Sequence, residues 1–232
     1  MGEQVILPGD PPIALDIRPS ARARRLSLRV SRLDGRVTLT LPEGASRRHA
    51  LGFAEDKAEW IRRQLADRPG AERPMPGGVL PFAGVDHQIV TGPGRGVRRV
   101  GGTIELPGRD PERSPARLLA FLKAEARGAL AEAVDRHATT LGVSPKKLTL
   151  RDTRSRWGSC SAKGDLMFSW RLIMAPPEVL DYVAAHEVAH LLEMNHSRAF
   201  WATVARTCPG YEAPKRWLRQ KGEALHRYRF RD

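Results

Sequence analysis

Only two cysteines, Cys160 and Cys208, occur in the 232 residues. That is too few for a disulfide framework and excludes the small stapled folds of secreted domains. No uninterrupted apolar run approaches the ~18 residues that cross a bilayer. The opening stretch, MGEQVILPGDPPIALDI, lacks the basic start and long apolar segment of a secretory signal. These absences lead us to expect a reduced, soluble, cytoplasmic protein with no membrane partner. Acidic residues are also in deficit, 26 against 39 lysines and arginines, for a net charge of +13. What is present is ordinary for a globular chain: 41% hydrophobic and 28% charged residues, enough to bury a core in one large or two modest domains.

Most of the positive charge is arginine. Residues 18–48 carry nine arginines against Asp34 and Glu43. Such a face attracts nucleic acid, nucleotides or other polyanions. In RRLSLRV, however, the arginines alternate with apolar residues, as on the solvent side of a half-buried strand. Both readings stand at this point.

RRLSLRVSRLDGRVTLTLP alternates with period 2 on both sides of Asp34-Gly35, which predicts a hairpin. Ser46 then suits the cap of a helix through RRHALGFAEDKAEWIRRQLAD, with Phe53, Trp60, Ile61 and Leu65 on its buried face and Pro69-Gly70 ending it. Short apolar runs at 79–82, 87–90 and 103–106 predict further strands, with the glycine-rich GPGRG at 92–96 as a hairpin turn. RDPERSP reads as a domain joint. Beyond it, Ser114 and Pro115 suit the cap and first turn of a helix that runs to Leu141 and stops at Gly142. KKLTLRD predicts a strand, GDLMFSWRLIMAP a second one long enough to cross a sheet, and Pro176-Pro177 the start of a helix from Glu178 to Met194. No internal repeat is evident. The expected organisation is a β-rich domain with one helix over 1–112 and an α+β domain over 113–232.

That last helix carries AHEVAHLLEMNHSRAFW. His186 and His190, four residues apart, lie on one helical face with Cβ atoms about 5–6 Å apart. Two imidazoles so placed can both bind one Zn²⁺. Glu187 sits next to the first ligand, where it can take a proton from water that the metal has acidified. A catalytic zinc takes a third protein ligand. His196 serves if the chain bends before it, and Asn195, which tolerates the left-handed conformation, offers the bend. Ser197 can then cap a new helix. Glu193 is the rival third ligand.

The spacing His186-Glu187-x-x-His190-x5-His196 is that of the metzincin zinc site, although the glycine of that pattern is Glu193 here. Arg156 to Cys160 (RWGSC) and His196 to Trp201 (HSRAFW) make a closer match. The stretch from about 145 to 225 resembles the YgjP-like metallopeptidases, zincin-type proteins more distantly related to SprT-like proteases. The resemblance implies a zincin-like metallohydrolase domain, with helices packed on a small mixed sheet. It also implies zinc on His186, His190 and His196, Glu187 as the catalyst, and a peptide or protein substrate.

Arg154, Arg156, Tyr182 and Tyr211 are candidate oxyanion donors, none singled out by spacing. The substrate edge is expected at SWRLIMAP or at the strand leading into RWGSC. Trp157 and Gly158 read as a tight turn and Cys160 as small packing, with Cys208 structural. Phe200, Trp201 and Trp217 read as core, and His49, His87, His137 and His226 as surface. Two other functions compete with peptide hydrolysis. Arg151, Arg154, Arg156 and Arg171 near a metal would suit a nucleoside triphosphate pyrophosphatase. The basic amino-terminal face would suit a protease acting on DNA-bound proteins.

Overall fold

Period-2 alternation builds the first sheet. The computed structural model describes residues 3–31, 35–66 and 70–230, and its contacts divide the chain into two units, Met1–Gly70 and Ala71–Asp232. In the first, β2 (Ile13–Ser20) and β4 (Val37–Pro42) run parallel at the centre, with Leu15 opposite Val37 and Ile17 opposite Leu39. β1 (Glu3–Leu7) and β3 (Ser27–Val30) flank them antiparallel, giving the order β1-β2-β4-β3. The expected hairpin is the β3–β4 pair. Asp34 of its turn lies outside the described residues, as does Pro69.

The apolar face of this sheet packs with Ala50, Ala54 and Ile61 from two helices, α1 (Arg47–Asp56) and α2 (Ala58–Ala66). Ser46 caps α1, its hydroxyl accepting from the His49 N–H. One continuous helix was expected here. The chain instead breaks at Lys57, whose N–H turns back to the carbonyls of Ala54 and Glu55. Trp60, expected inside, is 39% exposed. Ile61 takes the inward position, about 100° round the helix. The arginines at 22, 24, 25 and 29 are exposed, while Leu26, Leu28 and Val30 between them are half-buried.

The second unit opens with the same connectivity. β5 (Val79–Phe82), β6 (Val85–Gly92), β7 (Arg98–Val100) and β8 (Thr103–Pro107) form the order β5-β6-β8-β7, with β6 and β8 parallel. GPGRG is therefore not a hairpin turn. It carries the chain from β6 to β7, which lies beyond β8, and the hairpin is the β7–β8 turn at Gly101-Gly102. Leu80, Phe82, Ile89, Ile104 and Leu106 share one core with Leu118, Leu122 and Leu130 of the 28-residue α3 (Ser114–Leu141). The joint drawn at 112/113 thus lies inside this unit. Ser114 is the first helical residue rather than the cap, and Gly142, at φ 68°, ends α3 in the left-handed region.

A three-stranded mixed sheet follows, β9 (Lys147–Arg151), β10 (Gly158–Cys160) and β11 (Asp165–Ser169), in the order β10-β11-β9. β10 is thus an edge. The second strand stops at Ser169, short of the length its sequence suggested, and residues 170–174 form a 3-10 turn. That turn buries Trp170 and Arg171. The Arg171 guanidinium donates to both carboxylate oxygens of Asp152 and to the carbonyls of Leu225 and Tyr228.

α4 (Pro177–Ala189) is buried on nearly every side and touches α3, β10, α5 (Arg198–Thr207) and α6 (Glu212–Lys221). The architecture is α+β, helices on small mixed sheets. Among the described residues no helix is long and apolar enough to cross a membrane.

Candidate metal centre

α4 ends earlier than its sequence suggested. His190 is the C-cap, with φ −65° and ψ −15°, and the N–H groups of Leu192 and Glu193 close a last turn on the Ala189 carbonyl. Asn195 does not supply the bend through a left-handed conformation, since Ala83 and Asp110 are the positive-φ non-glycine residues among those described. The turn is spread over 190–197 instead. The Asn195 side-chain carbonyl accepts from the Ser197 N–H at 3.3 Å, and the Ser197 hydroxyl caps α5 by accepting from the Phe200 N–H at 3.3 Å.

This geometry brings His186, His190 and His196 together, with one ligand nitrogen from each within 4.8 Å of the others. The three differ in burial: His190 is buried, His186 half-buried and His196 exposed. The His190 Nδ1 bonds to the Glu193 carbonyl at 2.9 Å, which fixes the tautomer and leaves Nε2 with its lone pair free. Glu193 thus serves through its backbone and is not a member of the cluster. The Nε2 atoms of His186 and His196 lie 3.1 Å apart. Two lone pairs at that separation repel unless a proton or a metal ion lies between them. Burial, with His190, His196 and Lys215 nearby, lowers the pKa of His186 to about 3; burial also lowers that of His190. Neutral imidazoles are the form that ligates, so the donor set fits a divalent cation that accepts nitrogen.

Phe200, fully buried, is the floor of the cluster. Its ring centroid lies 4.9, 4.5 and 4.8 Å from those of His186, His190 and His196. Trp201 stacks on His196 at 5.9 Å and on Tyr211 at 5.3 Å, and Tyr211 stacks on Tyr182 at 6.3 Å. Tyr182 meets His186 edge-on at 5.9 Å. Phe200 and Trp201 are therefore more than core. They and the two tyrosines wall the imidazoles, a role that the Phe-Trp pair three residues after Ser197 could have signalled.

Glu187 points from α4 toward β10. A Cβ at position 158 would lie 2.5 Å from Glu187 Oε1 and 2.6 Å from its Cγ, so only glycine lets the strand pass the carboxylate. Gly158 is the first residue of β10 rather than part of a tight turn. Burial pushes the Glu187 pKa up to about 8, and the Arg156 guanidinium acts against that rise. Cys160, half-buried on the same strand, has its thiol pKa raised by burial and by Glu187.

Several other expectations change. His87, His137 and His226 are buried, and of the four isolated histidines only His49 is exposed. His137 bridges Thr207 Oγ1 at 2.7 Å and Asp181 Oδ1 at 3.1 Å, linking α3 to α4 and to the end of α5. His226 packs on Trp157 at 5.1 Å between ring centroids. Arg171, one of four arginines offered as a phosphate clamp, is held by Asp152 and two carbonyls. Tyr228 and Phe230, late in the chain, are buried as well.

A family model described as YgjP-like, metallopeptidase domain, matches residues 24–221. No curated protein matches the chain. Among solved structures, the crystal structure of the metallopeptidase zymogen of Pyrococcus abyssi abylysin is 21% identical. The match covers 40% of this chain and 95% of that one, with a TM-score of 0.37, a likeness too slight to bear on fold or activity.

Proposed function

The chain belongs to the YgjP-like metallopeptidase family, and from that membership we propose a zinc-dependent peptidase in which His186, His190 and His196 hold the metal and Glu187 is the general base. The observation that carries this reading is the convergence of three imidazole nitrogens within 4.8 Å beside a buried carboxylate. The three imidazoles would hold a zinc ion, which when bound would acidify a water and polarise a substrate carbonyl.

Glu187 accepts the proton of the attacking water and passes it to the leaving amine. Its burial prepares it for both steps, because a carboxyl group of raised pKa is the stronger base and delivers a proton near neutrality. The free edge of β10 offers main-chain donors and acceptors to an extended peptide, and Gly158 on that edge lies against Glu187. The strand thereby positions a substrate beside the base.

The test is metal analysis of the purified protein with a peptide-library screen. The expected result is one zinc per chain and hydrolysis that a chelator abolishes and zinc restores. Glu187→Gln should keep its zinc and lose turnover by roughly 10²–10⁴-fold. Wild-type turnover in that variant would remove Glu187 from the mechanism.

A further inference from the structure

Beside the imidazole cluster lies a cavity of about 480 Å³ that the proposed reaction does not use, within the size range of ligand pockets. Trp157, Tyr182 and Leu218 line it with apolar surface, and Lys215, Arg216 and Arg219 of α6 line it with positive charge. The spacing 212, 215/216, 219 puts one face of α6 on the cavity. Glu212 is the single carboxylate among the lining residues.

This cavity shares its walls with the metal centre. Tyr182 meets His186 at 5.9 Å. Trp157 immediately precedes Gly158, the residue that abuts Glu187. Lys215 Nζ lies 3.5 Å from the Trp201 ring centroid, a cation–π contact that fixes the ammonium, and Trp201 lies 5.7 Å from His186. A peptide laid along β10 therefore presents a neighbouring residue at the Trp157 end of the strand, where this cavity opens.

We infer that the cavity is a substrate subsite for a carboxylate, carried by an acidic side chain or by the peptide's own C-terminus. The inference rests on the peptidase reading. The apolar floor receives methylene groups, and the three cations neutralise the carboxylate through charge-assisted contacts. A phosphate dianion fits less well. Glu212, among the lining residues, repels a dianion more strongly than a singly charged carboxylate.

The experiment uses zinc-loaded Glu187→Gln protein, so that binding is read without cleavage. Dye-labelled hexapeptides carry one Glu, or Gln in its place, at each position in turn, and a parallel set ends in a free acid or an amide. At one position the Glu peptide should bind about tenfold more tightly than its Gln counterpart, a difference of about 1.4 kcal/mol. An acid-over-amide preference instead identifies the chain terminus as the source. Either preference should fall to within about twofold when Lys215, Arg216 and Arg219 are changed to Gln, with zinc content unchanged, and should weaken as salt is raised. The single Lys215→Gln and Arg219→Gln proteins give the same readout if the triple variant does not fold. Equal binding of every Glu/Gln and acid/amide pair overturns the subsite. So does a preference that survives the substitutions, or no binding of any peptide. Wild-type turnover of the same peptides tests the reaction separately. Cleavage without a carboxylate preference removes the subsite alone, whereas a carboxylate preference without cleavage removes the peptidase reading and leaves an anion pocket.

Discussion

Gly158 and Glu187 are complementary: the missing side chain of the first leaves the volume that the carboxylate of the second occupies, with 2.5 Å between Glu187 Oε1 and the place a Cβ would take. The contact joins an edge strand to the helix of the imidazoles, 29 positions apart in the chain. It also explains why glycine stands in Arg-Trp-Gly-Ser-Cys without a left-handed backbone to require it.

Gly158→Ala should therefore displace the carboxylate and leave the imidazoles in place. We expect kcat to fall about 100-fold, the cost of misplacing a catalytic group by roughly 1 Å, with zinc stoichiometry unchanged. Steady-state kinetics and metal analysis on the same preparation check it. Unaltered kcat would mean that the carboxylate does not act from this position.

Phe200 supports all three imidazoles. Phe200→Leu keeps most of the buried volume but loses the flat floor, so the rings gain freedom. Zinc affinity should drop by about 10–100-fold, the usual effect of removing a partner that orients ligands. Competition with a chromophoric chelator measures it. Phe200→Ala should also destabilise the fold by about 3–5 kcal/mol.

Asp181 anchors α4 to α3 through His137 and Arg136. Its hydrogen bond with His137, aided by Arg136, holds its carboxyl below the ordinary carboxylate pKa. A carboxyl group depressed in the folded state adds stability that is complete above its unfolded pKa, 3.8. That stability is lost as pH falls through the lower folded value. Urea midpoints of the wild type and Asp181→Asn should therefore differ most near neutral pH and converge on acidification below about pH 4. A gap that stays constant across this range would contradict the assignment.

Arg171 binds Asp152 and the carbonyls of Leu225 and Tyr228 from a buried position. Arg171→Ala strips partners from two carbonyls and a carboxylate at once. Asp152 keeps about half its surface in water, so the loss should sit near the lower end for broken buried pairs, about 3 kcal/mol. Chemical denaturation measures it.

How much of this was legible follows from the range of each interaction. The His186/His190 pair, the Ser46 and Ser197 caps, the stop at Gly142 and the β3–β4 hairpin all depend on neighbours a few residues away, and they could be read directly. Residues 170–174 looked like strand because they are apolar throughout, a pattern shared by a buried turn. His137 looked like surface because nothing near it in sequence announces Asp181 or Thr207.

By itself the sequence determined the helix that carries His186, Glu187 and His190 and the new helix start at Ser197, because helical periodicity and capping are local physics. It also held a third histidine at a workable distance. Tertiary structure alone decided that His196 faces His186 and that Glu193 contributes its backbone rather than its carboxylate. It likewise decided that both four-stranded sheets share one order, that Phe200 underlies the imidazoles and that Gly158 makes room for Glu187. The sheet orders and the Gly158–Glu187 contact join segments far apart in the chain, while His196, Glu193 and Phe200 are placed by the path of the turn after His190; packing and pairing across the fold select both, which local spacing does not encode.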